Sequence, residues 1–433
     1  MTVNASNPSR RLFLGGGLVI IVLLAGLLIL WVVNNRQDRP GGDDDKGELV
    51  LRPSTVPQAD ERTKLVQRAV DKGVVFLKGK MPVPTHELKD YHLPQKTWVA
   101  GIAGLIGLTL LECEVAGDDV AVLRAAEVIR EHAGEMDHIY ALAASLFFLN
   151  RWNEIRPLQE RDRQMARTFA LRIIAGQKSN GAWGYKGVVM SPDQEAKLLA
   201  SLQDGTFKAT GTGTYTISNT QFAMLALWGA RKHGVPVRDP LLAAASYFHS
   251  SQLPDGHWIY CPEQPDPLSA SSTCAGLISL ALEKALREDK EFLSLPPSAP
   301  VAAKKADIDK AFAVVGKSIG RKKGDPGGAT PQFAGSLFEA SAVGDLYFLW
   351  SLERLAVIYG KNQIGGKDWY DWGHKVVVNA QLEDGSWKDW SGPLPDTCFA
   401  LLFLRRANIA KDLTDKLRLL SAAEPKDAAT RRD

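Results

Sequence analysis

Carboxylates, buried-charge pairs and polar residues near helix starts are the groups in this sequence that could carry chemistry. Glu353 and Arg354 lie among Trp350, Leu352 and Leu355, so a charge there needs a partner, and a structural ion pair is the expectation. A glycosidase-like or lyase-like site needs paired carboxylates, one as acid and one as base or nucleophile, and Asp345, Glu353 and Asp371 are the residues that could supply them. Asn219, Thr220, Gln221, Thr273, Cys274, Asp345 and Tyr347 fall at or near helix starts. Helix capping accounts for Asn219, Thr273 and Asp345 one at a time, while together the set would gather on one rim of a ring-shaped fold. There Asn219, Gln221, Cys274, Tyr347 and Trp350 are the candidate lining of a central ligand cavity.

Aromatic rings are the other signal. The chain has 11 Trp, and Trp369, Tyr370, Trp372, Trp387 and Trp390 fall within one short stretch. Most such rings pack repeats together, and a minority would suit isoprenoid chains by apolar contact or sugars by stacking. His257 and Tyr260 flank Trp258 as ordinary turn residues. The Gly- and Thr-rich stretch from Thr206 to Thr214 lacks the Lys-Ser/Thr ending of a phosphate loop and reads as a mobile loop.

Helices must position these groups. From Glu61 on, apolar residues recur at spacings of three and four with no sustained alternation, which predicts an all-α protein. Three segments match one another as Gln-x-x-x-Gly-x-Trp: Gln177 to Trp183, Gln252 to Trp258 and Gln381 to Trp387. In each, Gln ends a helix, Asn or Asp with Gly makes the turn, and Trp packs under a neighbouring repeat. Six helix pairs follow: Arg62 to Lys78 with Trp98 to Cys113, Asp119 to Ala133 with His138 to Arg151, Arg161 to Gln177 with Asn219 to Lys232, Asp239 to Gln252 with Thr273 to Arg287, Ala306 to Ile319 with Asp345 to Tyr359, and Asp368 to Gln381 with Thr397 to Ala407. The first helix of each pair is the more polar. A closed (α/α)6 toroid buries the apolar second helices that an open stack would expose at its ends.

The three Gln-x-x-x-Gly-x-Trp segments resemble the QW repeats of squalene-hopene cyclases and the related repeats of protein prenyltransferase β subunits, the terpenoid cyclase superfamily. The resemblance covers nearly all of Glu61 to Ala410 and extends to bacterial membrane-anchored prenyltransferase and squalene oxidase repeat proteins. It implies a toroid with an apolar, isoprenoid-accepting cavity. Cyclisation of the hopene type would need an Asp-x-Asp-Asp acid, which is missing; Asp43-Asp44-Asp45 and Asp307-Ile308-Asp309 are the nearest strings. Prenyltransferases hold zinc with an Asp-x-Cys pair and a later His, and Asp396-Thr397-Cys398 matches the pair. No His follows His374, and His138, at the start of the second inner helix, is the one residue that a ring could bring round as third ligand. The alternative is that Asp396 caps its helix and Cys398 packs as a small apolar residue, with no cofactor.

At the N-terminus, 22 residues from Leu12 to Val33 carry no charge and would span about 33 Å as a helix, enough to cross a bilayer core. Arg10 and Arg11 precede this run, so residues 1–11 are expected inside the cytoplasm, 12–33 in the membrane, 34–60 as a linker, 61–410 as the toroid on the extracytoplasmic (periplasmic) side and 411–433 as a polar tail. The chain's net charge is only +3, and two of those charges are Arg10 and Arg11, so the body gives no electrostatic footprint for nucleic acid. Four Cys in 433 residues exclude a disulfide-stapled scaffold. Three functions remain: a toroid binding an isoprenoid, lipid or other apolar ligand; an (α/α)6 carbohydrate-active enzyme acting on a saccharide; and a non-catalytic protein-binding scaffold. Topology is testable directly. Alkaline phosphatase fused after Asp433 is expected to be active in a bacterial host, and an inactive phosphatase beside a maturing cytoplasmic fluorescent reporter at the same site would reverse the orientation.

Overall fold

Two concentric layers of helices make up most of the described chain. The computed structural model describes residues 58–81, 95–262, 270–288, 304–320, 346–389 and 391–423. The expected membrane segment 12–33, most of the linker, Asp345 and Trp390 lie outside the described residues; among those described, no helix is long and apolar enough to cross a membrane. Six inner helices, α2 (Gln95–Glu112), α4 (Ile139–Ile155), α7 (Ile217–Ala230), α9 (Ala270–Arg287), α11 (Leu346–Ile358) and α13 (Pro393–Arg405), pack in that order, and α13 returns to pack on α2. The ring is closed. Six outer helices, α1 (Gln58–Gly79), α3 (Val120–His132), α5 (Glu160–Ala175), α8 (Arg238–Ser251), α10 (Ile308–Ser318) and α12 (Trp369–Asn379), lie against the inner ones; α3 packs on α2 and α10 on α9, the inner helices before them, more than on their expected hairpin partners α4 and α11.

The three repeated motifs do the same physical work. The side-chain amide of Gln177 donates to its own turn at Gly181 O and to Pro240 O at the start of the next outer helix, both at 2.8 Å. Gln252 does so to Gly256 O and Asp307 O, and Gln381 to Gly385 O and Ala69 O. Each indole N–H donates back to its own outer helix, Trp183 to Ile173 O, Trp258 to Phe248 O and Trp387 to Val377 O, and all three rings are buried. The backbone N–H of Trp183 donates to Thr220 Oγ1 and that of Trp387 to Thr397 Oγ1, both at 3.0 Å, tying the turn to the inner helix. The inner helices begin close together where residues are small: a side chain at Gly101 would meet the Ala141 backbone at 2.8 Å.

Four further features depart from the sequence reading. The polar tail is in part a helix: α14 (Lys411–Ala423) packs on α9 and α11, burying Leu413, Thr414 and Leu417, because its apolar residues share one face. The third hairpin's connection contains α6 (Pro192–Gln203), opened by a Ser191–Gln194 capping box. The 206–214 stretch is tied at Gly211, which exchanges backbone hydrogen bonds with Gln177 and Ser179. A two-residue hairpin, β1 (Gln363–Ile364) with β2 (Lys367–Asp368), precedes α12.

Ring closure can be tested at Gly385. Its φ is +86°, and an added Cβ would sit 2.5 Å from Lys72 O of α1, whereas Gly205, with φ +73°, has nothing within 4 Å. Gly205→Ala should cost about 1–2 kcal/mol for the left-handed backbone alone, and Gly385→Ala about 2–5 kcal/mol because overpacking adds to it. Urea unfolding of both variants measures the difference; equal costs would mean that the last turn does not press on the first helix.

Candidate ligand-binding mouth

The starts of the inner helices meet at one end of the ring, and their side chains close its axis. Phe222 of α7 lies 4.9 Å from Tyr140 and 5.8 Å from Phe147 of α4, and 5.1 Å from Trp350 of α11, ring centre to ring centre. Trp350 in turn lies 5.4 Å from Phe399 of α13. Gln221 crosses the same space, accepting from Tyr347 Oη at 2.5 Å and meeting Ser351 Oγ at 3.4 Å. Phe147, Gln221, Phe222, Trp350 and Phe399 are all buried, so the axis is filled by side chains joining non-adjacent inner helices.

Above this plug the mouth is aromatic and polar. Tyr140 Oη donates to Ser218 Oγ at 2.6 Å, Ser218 bonds Tyr260 Oη at 3.2 Å, and the Tyr260 hydroxyl meets that of Tyr185. Burial raises the Tyr140 and Tyr185 hydroxyls above the ordinary tyrosine range, and neighbouring Tyr260 adds to it, so both stay protonated and able to donate. Trp98, Tyr140 and Tyr347 are half-buried, and Tyr185 is exposed.

His138 is the unusual member. Its ring is 2% exposed, lies 5.1 Å from Trp98 and 5.7 Å from both Tyr140 and Tyr185, and neither ring nitrogen has a hydrogen-bond partner. Burial, with help from Lys186, lowers its pKa to about 4, so at neutral pH the ring is uncharged, with one N–H and one bare nitrogen. Leaving such groups unsatisfied costs about 1–3 kcal/mol, which a phenylalanine there would avoid.

Tyr185, Tyr260 and Asp389 reach the mouth by one rule. Each stands two residues after a motif Trp, and each caps the first N–H of the preceding inner helix: Tyr185 O accepts from Ile139 N, Tyr260 O from Ile217 N, and Asp389 Oδ2 from Leu346 N at 2.8 Å. The other carboxylate oxygen, Asp389 Oδ1, is buried without a partner. The repeat carries this position in its spacing, as Trp-x-Tyr, Trp-x-Tyr and Trp-x-Asp.

Of the residues singled out in the sequence, Tyr347 and Trp350 belong to this end, with Gln221 between them. Asn219 and Thr273 lie inside their helices, and Thr216 is the cap of α7, accepting from Asn219 N. Cys274 is fully buried in the core. Asp396 braces the preceding loop, accepting from Asp389 N at 2.6 Å and Ser391 N at 3.1 Å, while the cap position of α13 is Gly392. Complete burial pushes the Cys398 thiol far up, and it sits by Thr109 of α2. The described residues bring no three His, Cys, Asp or Glu side chains into a metal set, so Asp396, Cys398 and His138 are not assembled as one. Asp371 is on outer helix α12, paired with Lys375 at 2.7 Å.

Glu353 lies in the middle of α11, one turn beyond Trp350, on the side of the plug that faces Glu112 at the end of α2. It is fully buried, pairs with Arg354, and its Oε1 has no partner. Burial outweighs the Arg354 guanidinium and raises its pKa to about 7, with nearby Glu112 adding to the rise.

No protein-family model matches the chain, and no curated protein matches it. The likeness to squalene-hopene cyclase repeats therefore stands on the three motif segments. Among solved structures the chain is similar to an unsaturated glucuronyl hydrolase specific for heparin, at 10% identity and a TM-score of 0.49, over 79% of this chain and 97% of that one.

The raised Glu353 pKa has a signed consequence. Between the ordinary carboxyl value of 4.5 and about 7, the folded chain holds a proton that the unfolded chain releases. Stability therefore falls as pH rises through that window. Relative to Glu353→Gln, the wild type should lose roughly 2–3 kcal/mol between pH 5 and pH 8, read from urea unfolding. A gap that does not change with pH would mean that Glu353 is ionised throughout.

Proposed function

We propose that this protein is a saccharide-binding α/α toroid whose site is the mouth formed by the starts of the inner helices. The observation that carries the reading is the aromatic belt of the mouth, in which Tyr185 is exposed and Trp98 and Tyr140 are half-buried around the buried His138 ring. Sugars offer apolar C–H faces to aromatic rings and hydroxyls to donors and acceptors, and the mouth supplies both kinds of partner. An isoprenoid chain would need a deep apolar cavity, whereas Phe222, Trp350 and Phe399 occupy the axis and the groups above them end in hydroxyls. The mouth's described carboxylates are largely committed: Asp137 pairs with Lys186 at 2.6 Å, and Asp396 accepts two backbone N–H groups.

Asp389 favours a second reading, a carbohydrate-active enzyme. Its Oδ1 is a buried mouth carboxylate oxygen without a partner, and a glycosidic bond is broken by carboxylates placed beside it. Asp345, one residue before α11, would be the second carboxylate to examine.

Affinity electrophoresis through gels containing soluble polysaccharides, neutral and uronic-acid-bearing, tests both readings. At least one polysaccharide should retard the wild type, and Trp98→Ala should weaken that retardation at least tenfold with the fold intact by circular dichroism. No retardation on any polysaccharide would overturn the proposal. Release of reducing ends by the wild type, lost in Asp389→Asn, would convert binding into catalysis.

A further inference from the structure

A second concavity lies on the outside of the ring, between the end of α3 and one face of α5. It has a volume of about 370 Å³, at the lower end of small-molecule sites. Along α5 it is lined by Arg161, Met165, Phe169 and Arg172, which recur at spacings of three and four and so share one helix face. Phe169 is buried and Met165 half-buried, giving an apolar floor. Gly134, on the α3 side, has nothing within 4 Å of where a side chain would start, so that wall stands open.

The charge in this groove is unbalanced. Arg130, Arg161 and Arg172 line it, against Asp162 as the one carboxylate in the lining. Asp162 is taken: Arg130 grips both of its oxygens at 2.8 Å, and Arg161 stands 3.8 Å from one of them. Arg172 has no carboxylate partner. Only 6% exposed, it donates through Nη1 to Ala133 O at 2.6 Å and Met136 O at 2.9 Å, and its Nε, buried, donates to nothing. The nearby carboxylates are engaged elsewhere, Asp137 with Lys186 and Glu195 with the Thr168 hydroxyl. Burial accordingly lowers the Arg172 pKa from its ordinary value. A buried guanidinium held only by neutral carbonyls is costly, and a carboxylate is the planar partner that its fork fits.

We propose that this groove binds a carboxylate carried on an apolar chain, the carboxylate meeting Arg172 and the chain lying along Met165 and Phe169. Its lining shares no residue with the mouth, and its ligand is of a different class.

Calorimetric titration of the full chain with decanoate, decanol and inorganic phosphate tests it. Decanoate should bind, with decanol and phosphate each at least tenfold weaker, since one lacks the charge and the other the apolar body. Arg172 also holds the end of α3, so its replacement risks the fold; Met165→Asp instead places a negative charge on the groove floor and should cut decanoate affinity at least tenfold with an unchanged melting temperature. Absence of decanoate binding, decanol binding as tightly, phosphate binding as tightly, or decanoate affinity unchanged in Met165→Asp would each overturn the proposal. If Met165→Asp does not fold, Gln164→Glu at the exposed edge of the same groove carries the same test, with weakened decanoate binding expected and unchanged binding overturning it.

Discussion

A glutamine side-chain amide shared between two backbone carbonyls is the interaction on which the ring depends. The amide reaches from the turn that ends one outer helix to a carbonyl of the next outer helix, at its start for Pro240 and Asp307 and in its middle for Ala69. Gln177, Gln252 and Gln381 satisfy groups on both sides with one NH₂, and Gln252 adds acceptance from Asp307 N at 2.6 Å. The glycine four residues on must then turn with positive φ and lie against the neighbouring helix backbone: Gly181 against Ala243, Gly256 against Lys310, Gly385 against Lys72. In the third copy the neighbour is α1, so the bond that joins consecutive repeats elsewhere also joins the end of the ring to its beginning.

Closure determines what the centre can be. Six helices around one axis leave a space that side chains from opposite sides can reach, and here Phe222 and Gln221 from α7 meet Trp350, Tyr347 and Ser351 from α11. That plug contributes dispersion contacts and apolar burial at the point where the inner helices would otherwise face a void. Polar groups gather instead at the end of the ring, where the motif turns place Tyr185, Tyr260 and Asp389 against the helix starts. The other side of the plug holds the buried Glu353–Arg354 pair, roofed in part by α14, which rests on α9 and α11. The two sides of the plug thus hold unlike chemistry, hydroxyls and rings toward the helix starts and a buried charge pair beyond Trp350.

Much of the architecture was legible in the residues themselves. A spacing of three and four, a repeated Gln-x-x-x-Gly-x-Trp and a polar-then-apolar alternation of helices are local properties, and they determined six outer and six inner helices, their order and a closed ring, though not that α3 and α10 pack chiefly on the inner helix before them. Local rules reached less far at α14, where Leu413, Leu417 and Leu420 are spaced for one helix face but a short charged segment reads as a tail until α9 and α11 are there to cover it. They also misplaced Asn219, Thr273 and Asp396, since a capping residue type near a helix start does not say which residue begins the helix: Thr216 caps α7, and Asp396 bonds to the loop before α13.

The mouth divides along the same line. Its Trp-x-Tyr, Trp-x-Tyr and Trp-x-Asp positions repeat in the sequence, because the turn that buries each Trp also fixes where the second residue after it must point. The isolation of His138, the filling of the axis by Phe222 and Trp350, and the placing of Glu353 beyond that plug could not be read that way. Each depends on which side chains from distant helices share a volume, and so on which hydrogen bonds and solvent contacts are denied to them. Distances across the ring decide that, and they exist only once α13 has packed against α2.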